Sequence, residues 1–230
     1  MITCLSHKAP GAAGSRVLLV MLPGIGMEAG VFAAQGMVEA VHARGLAVDI
    51  VATRPDLGLY LDGGIASALH RAVIEPARAQ GYRRIWLLGI SLGGMGALLH
   101  ASAYAGEVEG LVLLAPFLGT PGTIAEITAA GGLAAWSAAG SSSVETEQRI
   151  LAWLQNFTAR RPSSPALYLG YGSGDRFAPG HRLLAEALPE ASVVTAAGGH
   201  DWATWRALWQ RILDKAPFAA LDDTTRRSVS

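Results

Sequence analysis

Short, unbroken apolar runs alternate along this chain with longer stretches in which apolar positions return every three or four residues. The first run, Arg16 to Leu22, is closed by Pro23-Gly24 and reads as a strand buried on both faces. A helical stretch from about Gly30 to Arg44 follows and stops at Gly45, and a second strand covers Leu46 to Ala52. From Asp62 to Gln80 the apolar positions Ile65, Leu69, Ala72 and Val73 return at helical spacing, with Gly81 after them. A third strand, about Arg84 to Gly89, runs directly into a helical pattern from Leu92 to Tyr104, and Leu111 to Ala115 gives a fourth. Further on come a fifth strand, Ala166 to Tyr171, and a sixth, Ser192 to Ala196. A last helix begins near Asp201 and carries Trp205, Leu208, Trp209 and Ile212. Strands alternating with helices predict a three-layer α/β/α sandwich on a mostly parallel sheet of about six strands. Such sheets bind ligands at the C-terminal ends of their strands.

The alternation is stretched in one place, from Gly119 to Pro165. Ser142, with Glu145 three residues on, has the form of a capping box, and Ile150, Leu151, Leu154 and Phe157 make an apolar stripe on the helix behind it. Two readings stay open here: a plain crossover helix, or a small helical cap over residues 119–165 that uses Ile124, Ile127, Leu133 and Trp136. Trp136 and Trp153 would then cover a site, or else pack between helices. The polar tail, Asp222 to Ser230, is expected to fray.

Composition narrows the function classes. The chain has 230 residues, 51% hydrophobic and 16% charged, which fits one domain over residues 1–230 and excludes a disordered or collagen-like chain. Eighteen Lys and Arg balance eighteen Asp and Glu, and no basic stripe interleaves with aromatics. Nucleic acid and anionic membrane surfaces are therefore not expected partners; a small molecule is. Cys4 stands alone, so no internal disulfide forms, and no histidine cluster at metal-ligand spacing lies beside it. The run Val17 to Leu22 is too short to span a bilayer and lacks a cleavage site after it, which makes the cytoplasm the expected location. Oligomeric state is not readable from the pattern.

The candidate chemistry sits at the strand ends. Gly89-Ile90-Ser91-Leu92-Gly93 joins the third strand to a helix, a G-x-S-x-G turn in which a strained elbow presents the serine hydroxyl and glycines let strand and helix approach. Serine needs a base at neutral pH. Of the six histidines, His200 in Gly198-Gly199-His200 follows the last strand directly, whereas His7 lies in the N-terminal segment and His42, His70, His100 and His181 sit in helical patterns. An acid that orients the base is expected in the glycine turn Gly172-Ser173-Gly174-Asp175 after the fifth strand. Asp201 reads as the start of the last helix, and Asp62, another helix start, stays a distant alternative for the acid. Oxyanion donors are expected from the backbone N–H groups of Leu92 and of Ile25, the latter in Pro23-Gly24-Ile25-Gly26.

Together these motifs resemble the α/β-hydrolase superfamily from about Arg16 to Leu213, with Gly89-Ile90-Ser91-Leu92-Gly93-Gly94, Gly174-Asp175 and Gly199-His200-Asp201-Trp202 in that family's order of nucleophile, acid and base. The chain departs from it in carrying Leu22-Pro23-Gly24 where many members have His-Gly. It also shows no clear antiparallel strands before residue 16. The resemblance implies an esterase-like serine hydrolase with a Ser91-His200-Asp175 triad, acting on a carboxylic ester through an acyl-enzyme without metal or organic cofactor. A thioester substrate is the nearest alternative, and a hydrolase-like binding protein without catalysis is another. A nucleotide-binding sheet is a third reading; Gly24-Ile25-Gly26-Met27-Glu28-Ala29-Gly30 lacks its third glycine and no Gly-Lys-Ser/Thr loop is present.

Overall fold

A computed structural model describes residues 1–11, 17–139, 141, 143–160, 165–215 and 217–218. Arg16, Ser142 of the expected capping box and the tail Asp222 to Ser230 lie outside the described residues. Among the described residues seven strands form one sheet: β1 (Ile2–His7), β2 (Val17–Leu22), β3 (Val48–Pro55), β4 (Arg84–Ile90), β5 (Gly110–Leu114), β6 (Ala166–Gly172) and β7 (Val193–Ala196). Their order is β1-β3-β2-β4-β5-β6-β7, parallel throughout except that β1 runs antiparallel to β3. From β2 the chain builds outward to β3, then crosses back to β4 and builds the other way. The reversal point lies between β2 and β4, where a sheet of this kind opens a crevice at the strands' C-terminal ends.

The parallel strands are legible as unbroken apolar runs because both sheet faces are covered. Leu18, Val20, Leu22, Ile85, Leu87, Leu111 and Leu113 face one buried layer, and Leu19, Met21, Trp86, Leu88, Ile90, Val112 and Leu114 face the other. The helices, in chain order, are α1 (Val31–Ala34), α2 (Met37–His42), α3 (Gly58–Leu61), α4 (Ile65–Leu69), α5 (Glu75–Ala79), α6 (Leu92–Ala103), α7 (Pro121–Ala129), α8 (Glu145–Arg160), α9 (Ala178–Ala187) and α10 (Trp202–Asp214). Residues of α4, α6, α8 and α9 pack on the first layer, and those of α1, α2 and α10 on the second.

Three of the local departures from the expected elements have physical causes. The strand Ile2–His7 is a seventh, beyond the six expected, and its residues are mostly exposed or half-buried. Backbone pairing holds this edge strand, Ile2 opposite Pro55 through His7 opposite Ile50, so it leaves no apolar signature. Its end is tied down where Lys8 donates to Asp49 (3.0 Å) and Tyr82 (2.6 Å), and the Ala9 N–H donates to Asp49 (2.8 Å). The helix expected over Gly30 to Arg44 is broken in two at Gly36, whose φ of 71° only glycine adopts at no cost. Between α4 and α5 a π-helical turn spans His70–Ile74, just before Pro76. Proline has no N–H to give and its ring crowds the carbonyl four residues back, so the ladder widens by one residue there. Asp62, expected to start a helix, instead closes α3.

Candidate active site

Three turns at the C-terminal edge of the sheet bring their side chains together. Ser91 follows β4 with φ 53° and ψ −116°, a strained backbone for a residue with a Cβ. The turn is possible only because its neighbours are bare: a Cβ on Gly89 would lie 2.4 Å from the Gly93 carbonyl oxygen, and one on Gly93 would lie 2.1 Å from the Leu22 oxygen. Hydrogen bonds then fix it from the next strand, with the Ser91 N–H donating to the Leu114 oxygen (3.0 Å) and the Phe117 N–H to the Ser91 oxygen (2.9 Å).

The acid and base turns are joined to each other. The Ser173 N–H donates to the Ala196 oxygen (2.8 Å) and the Gly174 N–H to the Gly198 oxygen (2.9 Å). Asp175 is buried, and its Oδ1 accepts the Phe177 N–H at 2.8 Å, which leaves Oδ2 for His200. The His200 Nδ1 stands 2.8 Å from that Oδ2, and its Nε2 stands 3.0 Å from Ser91 Oγ. With Nδ1–H donating to the carboxylate, Nε2 is free to accept the serine proton, at a distance within general-base reach. The structure thus brings Ser91, His200 and Asp175 into one hydrogen-bonded line.

Aromatic rings hold the imidazole from two sides. Phe177 and Trp205 both meet His200 edge to face, at 5.1 and 5.0 Å between centroids. Trp205 was legible in the sequence only as one of the apolar positions of α10, and Phe177 not at all. His181, in α9, is fully buried and donates from Nε2 to the Pro116 oxygen (2.9 Å), so it braces the loop that touches Ser91. Burial pushes its pKa down, so it stays a neutral donor. Asp201 caps α10, accepting from the Thr204 N–H (2.9 Å) and hydroxyl (3.0 Å); these bonds hold its carboxyl below the usual range, and it takes no part in the line. Asp62 lies apart, at the end of α3.

Of the two residues expected to supply oxyanion donors, Leu92 follows Ser91 directly and Ile25 follows Gly24, which approaches the serine. Leu92 opens α6, where the first-turn N–H groups have no helical acceptor. Gly24 approaches closely enough that a Cβ on it would lie 3.5 Å from Ser91 Cβ, which sets the Ile25 loop beside the serine. The side chains of Ile25 and Leu92 line a hollow of about 220 Å³ with Leu57 and Tyr60. A larger cleft of about 520 Å³ lies beyond Phe177, walled by α7. Of the four residues expected in a cap, only Ile124 lines that cleft; Ile127, Leu133 and Trp136 are buried in the core. Trp153 stacks on Phe157 at 5.1 Å. Among the described residues no group of three His, Cys, Asp or Glu side chains is placed to hold a metal ion, and no helix is long and apolar enough to cross a membrane.

No family model matches the chain, and no curated protein matches it in sequence. Solved structures do match in shape. A ferulic acid esterase is 15% identical with a TM-score of 0.62, the match covering 94% of this chain and 97% of that one. An S-formylglutathione hydrolase from Staphylococcus aureus is 12% identical with a TM-score of 0.60, covering 94% and 96%. A hydrolase from Pseudomonas aeruginosa PA01 is 21% identical with a TM-score of 0.58, covering 94% of each chain. At these identities the likeness is one of fold: the chain has the α/β-hydrolase fold, an open and mostly parallel sheet between two helical layers.

Proposed function

We propose that this protein is a serine hydrolase that cleaves carboxylic esters through an acyl-enzyme. One observation carries the reading: Ser91 Oγ, His200 Nε2, His200 Nδ1 and Asp175 Oδ2 form an unbroken chain at 3.0 and 2.8 Å, on a nucleophile whose backbone is strained into position. Ser91 attacks the acyl carbon while His200 takes its proton. The imidazolium is stabilised by Asp175 and then protonates the leaving oxygen. Water, activated by the same imidazole, releases the acid. The Leu92 and Ile25 N–H groups receive the charge that develops on the carbonyl oxygen, the term that commonly lowers the barrier most in acyl transfer.

The domain reading is ours as well: residues 1–230 act as one hydrolase domain, with α7 as a small cap that walls the larger cleft rather than a separate lid. Its support is the placement of Ile124, Ala125 and Thr128 on that wall and of Ile127 in the core. The anchor is Glu147 of α8, which accepts the Thr120 N–H (3.1 Å) and the Thr123 hydroxyl at the start of α7.

A fluorophosphonate probe should label the wild-type protein at Ser91, and Ser91→Ala should remain unlabelled. The same substitution should lower nitrophenyl-ester turnover by about 10³-fold or more. Each ester is run beside a thioester of the same acyl chain. A Ser91→Ala protein that turns over either series at the wild-type rate ends this reading.

A further inference from the structure

The 520 Å³ cleft beside the site is apolar on almost every side. Pro116, Leu118, Ile124, Ala125 and Phe177 are among its lining residues, and its size suits a ligand arm rather than a water cluster. Among the described residues a single charged side chain lines it, that of Arg176. This arginine follows the acid Asp175 directly, is exposed, and makes no ion pair with any carboxylate among the described residues. Its guanidinium lies over the ring of Phe177, 4.9 Å from the centroid. Phe177 in turn meets His200 edge to face. Phe177, a wall of the cleft, thus carries the histidine on one side and an unpaired planar cation on another.

Elsewhere in the fold Arg84 pairs with Glu109 at 2.7 Å and Arg44 with Asp214 at 2.7 Å. Arg176 has only an aromatic face, which orients the guanidinium plane and leaves its donor edge open. A guanidinium edge presents paired N–H groups that match the two oxygens of a carboxylate. The low-dielectric wall beside it strengthens that contact relative to one in open water.

We propose that the cleft takes the apolar arm of an ester whose far end carries a carboxylate, and that Arg176 receives this carboxylate. The scissile group rests on the serine-hydrolase reading above; the recognition of the anion does not. Two substrate series test it. In one, nitrophenyl monoesters of straight-chain dicarboxylic acids of increasing length are compared with their neutral methyl-capped counterparts. In the other, acetate esters of ω-hydroxy carboxylic acids are compared with their methyl esters. At the length that spans the cleft, the ratio of kcat/KM for anionic over neutral substrate is expected to reach about 5, mostly through KM. The ratio should fall with added salt, drop to about 1 in Arg176→Gln, and be partly retained in Arg176→Lys. A ratio near 1 at every length in both series, or one that Arg176→Gln leaves unchanged, overturns the proposal. If no ester is turned over, the reading of Ser91 has failed separately. Calorimetry of a straight-chain carboxylate and its primary amide on Ser91→Ala, with and without Arg176→Gln, then decides the proposal alone: tighter carboxylate binding lost with the arginine supports it, and equal binding refutes it.

Discussion

His100 allows a stability prediction worked from the structure. It lies on α6, the helix that starts at Ser91, with no surface exposed and neither ring nitrogen hydrogen-bonded among the described residues. Its ring stacks at 5.0 Å from Tyr104 and 5.7 Å from His70, the second of which also stacks on Tyr104 at 3.9 Å. Burial, with a smaller contribution from the neighbouring His70, holds the pKa of His100 down to about 4. In the unfolded chain an imidazole titrates near about 6.5. Between these values the unfolded state binds the proton and the folded state does not, so stability is whole above about pH 6.5 and is lost as pH falls toward about 4.

A shift of this size is worth about 3 kcal/mol in all, of which about 2 kcal/mol is lost between about pH 7.5 and pH 5. His100→Leu keeps a side chain of similar bulk and removes the titrating group along with two unpartnered nitrogens. Urea unfolding of both proteins at the two pH values gives the assay, because groups common to both cancel in the difference of differences. The wild type should lose about 2 kcal/mol more than the variant on acidification, and the variant should be no less stable near neutrality. Equal losses in the two proteins would show that His100 is not held as a neutral buried imidazole.

Two further substitutions probe the frame of the site. Gly93→Ala places a methyl group 2.1 Å from the Leu22 backbone oxygen, where no side chain is present to yield; a loss of about 3 kcal/mol in urea unfolding, with reduced fluorophosphonate labelling, is expected, and an unchanged midpoint would contradict the close packing of α6 on β2. Asp201→Ala removes the cap of α10 beside His200. About 1 kcal/mol should be lost, a fall in Tm of about 2–4 °C by calorimetry, and a variant that melts with the wild type would show that the cap contributes nothing.

How much of this was written in the sequence depends on the range of the forces involved. β2, β4 and β5 were legible because burial on both faces demands unbroken apolar runs, and in β4 every residue after Arg84 is buried. β1 was not, since an edge strand held by main-chain pairing to β3 places little demand on its side chains. The helix break at Gly36 and the π-turn before Pro76 each depend on a single residue inside an otherwise regular pattern, where apolar periodicity averages over them. The meeting of Ser91, Asp175 and His200 could be anticipated because each stands in a short glycine turn at a strand end. Phe177, Arg176 and His181 could not. Phe177 and His181 meet partners far apart in the chain, His200 and Pro116, and the place of Arg176 follows from that of the Phe177 ring it covers.

The same division explains how the strained serine is kept in place. Among the described residues, positive φ outside glycine occurs at Ser91 (53°) and Ala115 (45°), which end the adjacent strands β4 and β5. Each such residue costs about 1 kcal/mol or more, so the pair persists only if its surroundings over-determine it. They do so from three sides. The Ser91 N–H is tied to Leu114, the Ala115 N–H to Gly170 at 2.7 Å, and the Phe117 N–H returns to Ser91. Pro116, between these anchors, sits so close to Gly94 that a Cβ there would lie 2.7 Å from the proline ring, and its carbonyl is held by the buried His181. The elbow that the sequence announces as a local glycine pattern is therefore held in the fold by β5, β6 and α9. In the acyl transfer proposed above, a serine positioned in this way need not reorganise as charge develops, which is the condition under which fixed backbone donors lower a barrier most.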